Sequence, residues 1–194
     1  MNMAATGMTI GERKDDLIRR YRSAAEDTAR LVKASTTGDP TSRMRAVADA
    51  VWTHFAHLGA QVGVSWVGFY LPQQTESGVE LVLGPSRNKP ACSPIGLHGV
   101  CGQSFRTKSI RIIRDVRDLG ADYVACDPRD RSEIVLPVFL AVPAALQRPD
   151  RSTESGCFAV LDLDSHEVGR FTEVDAEGLA GVLKAAGFSV HGPG

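Results

Sequence analysis

The pattern that most constrains this chain is written three times: a short segment in which every second residue is apolar and the intervening positions carry aromatics or carboxylates. In Val64 to Leu71, the residues Val67, Phe69 and Leu71 oppose Trp66, Gly68 and Tyr70. In Glu133 to Leu140, the residues Ile134, Leu136, Val138 and Leu140 oppose Glu133, Val135, Pro137 and Phe139. In Phe158 to Asp164, Leu161 and Leu163 oppose Asp162 and Asp164. Side chains alternate across a strand, so each segment predicts a β-strand with one uniformly apolar face that helices must cover. The other faces share Trp66, Tyr70 and three acids. Large aromatics seek burial, so that side predicts a pocket lined by rings and a few polar groups.

The covering helices are legible too. From Glu12 to Ala34, Leu17, Tyr21, Ala24, Thr28 and Leu31 recur at helical spacing among many charges. Gly38-Asp39-Pro40 breaks this helix, and a second, capped by Thr41 or Ser42, carries Met44, Val47, Val51, Phe55 and Leu58 on one stripe and stops at Gly59. A last helix over Glu173 to Ala186 opens on Thr172 and Asp175, spaced as a capping box, and ends before Gly187. Gly78 to Gly84 reads as the hairpin partner of the first strand across a Pro72 to Ser77 turn, and Ile110 to Val116 contains a short strand. The Gly/Pro-rich segment 84–102 and the stretch 117–131 read as loops, and Ala141 to Gly156 as an exposed insertion. Helices, strands and a final helix make an α+β domain with helices on one face of an antiparallel sheet.

The 194 residues suffice for one core, and 22 Lys+Arg against 23 Asp+Glu leave no field that would draw nucleic acid or an anionic membrane. Met1 to Arg13 lacks a secretory pattern and no apolar run approaches a membrane span, so the expected location is the cytoplasm. Cysteines there stay reduced unless they work catalytically. Cys92 and Cys101 both fall in the first loop and Cys126 in the second; no Cys-x-x-Cys pair suggests zinc, and Cys157 has no supporting motif. A loop that brings one thiol to another suits a dithiol cycle, with Arg129 and Arg131 available to favour a thiolate at Cys126 and Asp127 opposing it.

In order along the chain, Trp66 to Tyr70, Leu83 to Pro85 with Lys89 to Cys92, Gly99 to Gly102, Ala125 to Asp127 with Arg131 to Pro137, and Leu161 to Ser165 resemble the GAF-domain free methionine-(R)-sulfoxide reductases. The resemblance covers roughly 41–187, within a GAF domain expected over 41–190 after an N-terminal helical extension over 1–40. It departs at Ser86-Arg87-Asn88, in the length of 141–156 and in the extra Cys157.

The resemblance implies a small-molecule pocket on a central antiparallel sheet, in a homodimer. It makes Cys126 the nucleophile, Cys92 the main resolving thiol and Cys101 a further thiol of the recycling path. Glu133, Asp162 and Asp164 become substrate-binding acids, and Trp66 with Tyr70 an aromatic wall. The implied substrate is free methionine sulfoxide, the reductant is of the thioredoxin kind, and no metal or organic cofactor is needed. The alternatives are a GAF module that binds a ligand without chemistry, or a redox sensor in which Cys126 pairs with a loop cysteine.

Overall fold

A computed structural model of the protein describes residues 9–56, 63–123, 126–140 and 156–191. Gly59 and the 141–155 part of the expected insertion lie outside the described residues. Helix α1 (Ile10–Ala34) begins with a reciprocal capping box between Thr9 and Glu12. Helix α2 (Pro40–Phe55) starts earlier than the sequence suggests, because Asp39 is its cap: one carboxylate oxygen accepts from Thr41 N at 2.8 Å and Ser42 N at 3.0 Å. Pro40 then occupies the first helical position, where its missing N–H has no partner to lose. The residues read as a break are therefore a start.

Strands β1 (Trp66–Thr75) and β2 (Gly78–Arg87) form a longer hairpin than expected, absorbing Pro72 from the predicted turn. Beyond Tyr70, β1 has only β2 as neighbour, so the side of Pro72 that cannot donate faces no strand. Helix α3 (Val100–Thr107) starts inside the 84–102 segment that reads as loop and continues through residues to which the sequence pattern assigns no element, and it carries Cys101. β3 (Arg111–Ile113) and a 3₁₀ segment (Val116–Asp122) follow, then β4 (Ser132–Leu140), β5 (Ala159–Ser165), α4 (Glu173–Ala185) and an unforeseen short β6 (Phe188–Ser189). Gly187 makes the turn into β6 at φ 76°.

The strands form one antiparallel sheet in the order β2-β1-β5-β4-β3, with β6 pairing to β4. The apolar faces predicted by alternation converge on one core: Val67, Phe69, Ile134, Leu136, Val138, Leu161 and Leu163 pack against Tyr21 and Ala24 of α1, Met44, Val47 and Val51 of α2, and Leu179 and Leu183 of α4. Leu140, assigned to that face, is 39% exposed at the strand end. Alone among the helices of the described residues, α3 lies on the opposite face, in a second cluster with Trp66, Tyr70, Leu81, Val135 and Phe139. Among the described residues, no helix is long and apolar enough to cross a membrane.

Candidate active site

Register builds the site. Trp66, Asp164 and Glu133 face one another across β1, β5 and β4, and one step along, Gly68, Asp162 and Val135 do the same. Directly opposed side chains in an antiparallel sheet sit within about 5 Å. Three acids and an aromatic are therefore crowded on one face, with Tyr70 in the next row. The indole of Trp66 lies over Gly68, tilted 36° to the Tyr70 ring at 5.9 Å between centroids. Indole Nε1 is buried without a hydrogen-bond partner among the described residues.

α3 and two loops roof this face. The resulting cavity, about 40 Å³, is lined by Trp66, Tyr70, Cys101, Cys126, Glu133, Asp162 and Asp164, together with Tyr123, Asp130 and apolar or glycine residues of segment 90–100. No lysine or arginine lines it among the described residues. Cys92 and Cys126 are joined by a disulfide with their Cα atoms 5.4 Å apart, and Tyr70 Oη donates to the Cys92 carbonyl at 2.9 Å. The sequence-predicted residues are thus gathered in one place, with Cys92 reaching it through its bond to Cys126.

Cys101 departs from the loop reading. It sits in the first turn of α3, 6% exposed, and its thiol donates to Asp162 Oδ2 at 3.2 Å. Cys157, the other free cysteine, is also buried and donates to the Ala159 carbonyl at 3.1 Å.

Burial governs the electrostatics. Desolvation raises the pKa of Glu133, with Asp164 adding to it, and likewise that of Asp162, reinforced by Glu133. The half-buried Asp164 is pushed up by desolvation and by Asp162. Burial, then Asp162, raises the Cys101 thiol, so it stays protonated. Such a cavity holds protons near its acids and attracts a cationic or hydrogen-bond-donating ligand.

Two lining residues escaped the sequence reading. Asp130, 6% exposed, accepts from Ser65 Oγ at 3.1 Å and lies 3.6 Å from His166 Nε2. Tyr123 ends the 3₁₀ segment, its phenol kept protonated by burial and by Asp164. Loops have no period, so no spacing signal marked either one. The arginines expected to favour a thiolate are engaged elsewhere. Arg129 clamps Asp127, holding its pKa down at about 2, and Arg131 pairs with Asp115 at 2.6 Å. Cys101, Glu133 and Asp162 place three donor atoms within 4.8 Å of one another, as do Asp127, Asp130 and His166. In the first set, two of the donors already satisfy each other through the thiol–carboxylate bond.

A six-stranded antiparallel sheet with helices on one face and a roofed pocket on the other defines a GAF domain, here with a disulfide-bonded cysteine pair at that pocket. No protein-family model matches the chain. It is 35% identical over 130 residues to GAF domain-containing protein A of Dictyostelium discoideum, covering 66% of this chain and 72% of that one. With the free methionine-R-sulfoxide reductase of Saccharomyces cerevisiae it shares 33% identity over 135 residues, 69% of this chain and 66% of the yeast protein. The solved structure of the Neisseria meningitidis free methionine-R-sulfoxide reductase in complex with its substrate superposes with a TM-score of 0.68 at 28% identity, covering 95% of this chain and 93% of that one. The chain belongs to the GAF-domain free methionine-R-sulfoxide reductase family.

Proposed function

We propose that this protein reduces free methionine-(R)-sulfoxide to methionine by cysteine chemistry in the roofed pocket. The observation that carries the reading is that Cys126 lines the same cavity as Glu133, Asp162 and Asp164 while lying within bonding range of Cys92. A sulfoxide sulfur accepts a thiolate only when its oxygen is protonated or hydrogen-bonded, and the raised acids supply that proton at neutral pH. Cys126 attacks sulfur, methionine leaves with two more electrons, and the oxygen passes to Cys126 as a sulfenic acid. The Cys92 thiol then displaces that oxygen as water, forming the Cys92–Cys126 disulfide. An external dithiol of the thioredoxin kind reduces it, with Cys101 as a further thiol of the recycling path.

The remaining acids meet the substrate's ammonium, a group that a peptide-bound methionine lacks. Trp66 and Tyr70 form the wall for the S-methyl group, and the unpartnered indole N–H offers a donor to a substrate oxygen. With the disulfide formed, the cavity is far smaller than the ~300–1,000 Å³ of a ligand pocket, so reduction has to release the Cys92 segment before substrate enters.

The test is methionine released per protein from free methionine-R-sulfoxide, with and without thioredoxin. The reduced protein should release one methionine alone and many with thioredoxin. Cys126→Ser should release none, and Cys92→Ser should release one without turning over. Full release by Cys126→Ser, or equal use of peptide-bound substrate, would overturn the reading.

A further inference from the structure

Cys101 and Asp162 stand in an unusual relation. The thiol donates to Oδ2 at 3.2 Å, and the other oxygen of the same carboxyl, Oδ1, is buried with no partner among the described residues. Asp162 is only 6% exposed, so bulk water does not complete it, and it lines the cavity. A buried acceptor left open at a cavity wall is accounted for when a ligand supplies the missing donor.

We propose that Cys101 is a positioning residue for the substrate. Its S–H holds one oxygen of Asp162 so that the other is presented to the substrate's ammonium. This rests on the reading given under Proposed function and assigns the thiol a task separate from recycling.

Three features support it. The thiol sits on an anchored helix. α3 begins tight against the preceding segment, where a β-carbon on Gly102 would collide with the Leu97 backbone, and the helix is closed at its far end by Ser104 Oγ donating to the Ser109 carbonyl at 2.9 Å. Burial beside Asp162 and Glu133 keeps it as S–H, which is the form that donates and the wrong form to attack sulfur. The disulfide, moreover, joins the other two pocket-associated cysteines and leaves Cys101 free beside its acid. Serine can replace the S–H donor with an O–H, whereas alanine cannot.

The experiment compares Cys101→Ser, Cys101→Ala and each in an Asp162→Asn background. It reads single-round methionine release against sulfoxide concentration, and binding of L-methionine to the reduced proteins by calorimetry. Cys101→Ala should weaken methionine binding and raise the half-saturating sulfoxide concentration about 3- to 10-fold, the worth of one hydrogen bond. It should still release one methionine per protein. Cys101→Ser should stay within about 2-fold of the parent, and the alanine effect should vanish once Asp162 is Asn.

Equal behaviour of Ser and Ala overturns the proposal, whether both leave binding intact or both lose only thioredoxin-dependent turnover. So does an alanine effect that persists undiminished in the Asp162→Asn background. If the parent protein neither binds methionine nor releases it, the functional reading fails and this proposal with it. If the parent is active and Cys101→Ala binds normally, only this proposal fails.

Discussion

The Trp66 indole occupies the space a side chain on Gly68 would take: a β-carbon there would stand 2.5 Å from Trp66 Cζ2 and 2.7 Å from Ser86 Cβ. Geometry within the chain itself requires glycine at position 68, since the ring folds back over the strand to wall the cavity. Gly68→Ala should therefore expel the ring from its seat and raise KM for the sulfoxide about tenfold or more, with a loss of ~1–3 kcal/mol from overpacking. Tryptophan fluorescence and KM measured together check this; a normal KM with a destabilised fold would separate packing from substrate recognition.

Tyr70 tethers the segment that carries the resolving thiol through its bond to the Cys92 carbonyl. Tyr70→Phe keeps the ring and removes the tether. First-round methionine release should be unaffected, while disulfide formation slows about 2- to 10-fold, the range of one net hydrogen bond. Trapping free thiols with an alkylating agent at timed intervals after sulfoxide addition reads the two steps separately.

Much of this arrangement was legible because strand alternation is a strong, local signal. Trp66, Tyr70, Glu133, Asp162 and Asp164 fall on one face by counting alone, and the sheet register then brings them level. Helix α3 was not legible: Gly99 and Gly102 lower the helical signal of an eight-residue element. Yet Gly102 is there because of the approach to Leu97, a tertiary contact that no local pattern carries. Asp130 enters the cavity through a loop pinned by Ser65, 65 residues away in sequence. Loop residues placed by such long-range bonds have no period to betray them. Arg129 and Arg131 misled for the converse reason: nearness in sequence to Cys126 does not decide which carboxylate a flexible guanidinium finds.

The acid cluster should make stability fall as pH rises. Glu133 and Asp162 have ordinary values of 4.5 and 3.8, and in the fold both are raised, first by burial. Between those ordinary values and the raised ones, the folded state holds protons that the unfolded chain has released. The contribution is thus fully present below the ordinary values and is lost as pH climbs through the folded ones. Asp162→Asn should melt a few degrees above the parent at pH 8, a shift on the scale of about 1 kcal/mol, and the difference should close toward pH 4. Activity should fall in the same variant, as expected where function requires buried charge. Thermal melts across pH check it, and a gain that grows at low pH would reverse the assignment.

On the helix-covered face of the sheet, α1 is tied down by one buried carboxylate. Asp175, with no exposed surface, accepts from Tyr21 Oη at 2.8 Å, from Arg170 Nη1 at 3.1 Å, and from Thr172 N and Oγ1 at 2.8 and 2.9 Å. One side chain thus caps α4, pairs a largely buried arginine and anchors α1, whose Tyr21 ring also lies so close to Gly178 that a β-carbon there would strike it. Removing the carboxylate strands four donors, on three residues, at once. Asp175→Ala should cost about 3–5 kcal/mol, the range for breaking a buried charge pair, whereas Tyr21→Phe removes one bond and should cost about 0.5–1.5 kcal/mol. Because both act through the same contact, Tyr21→Phe should add little in the Asp175→Ala background. Below the melting transition each variant should still release one methionine per protein, since neither residue lines the cavity. Denaturant unfolding of the two single variants and the double variant measures this; fully additive costs would mean that α1 is held by its apolar face alone.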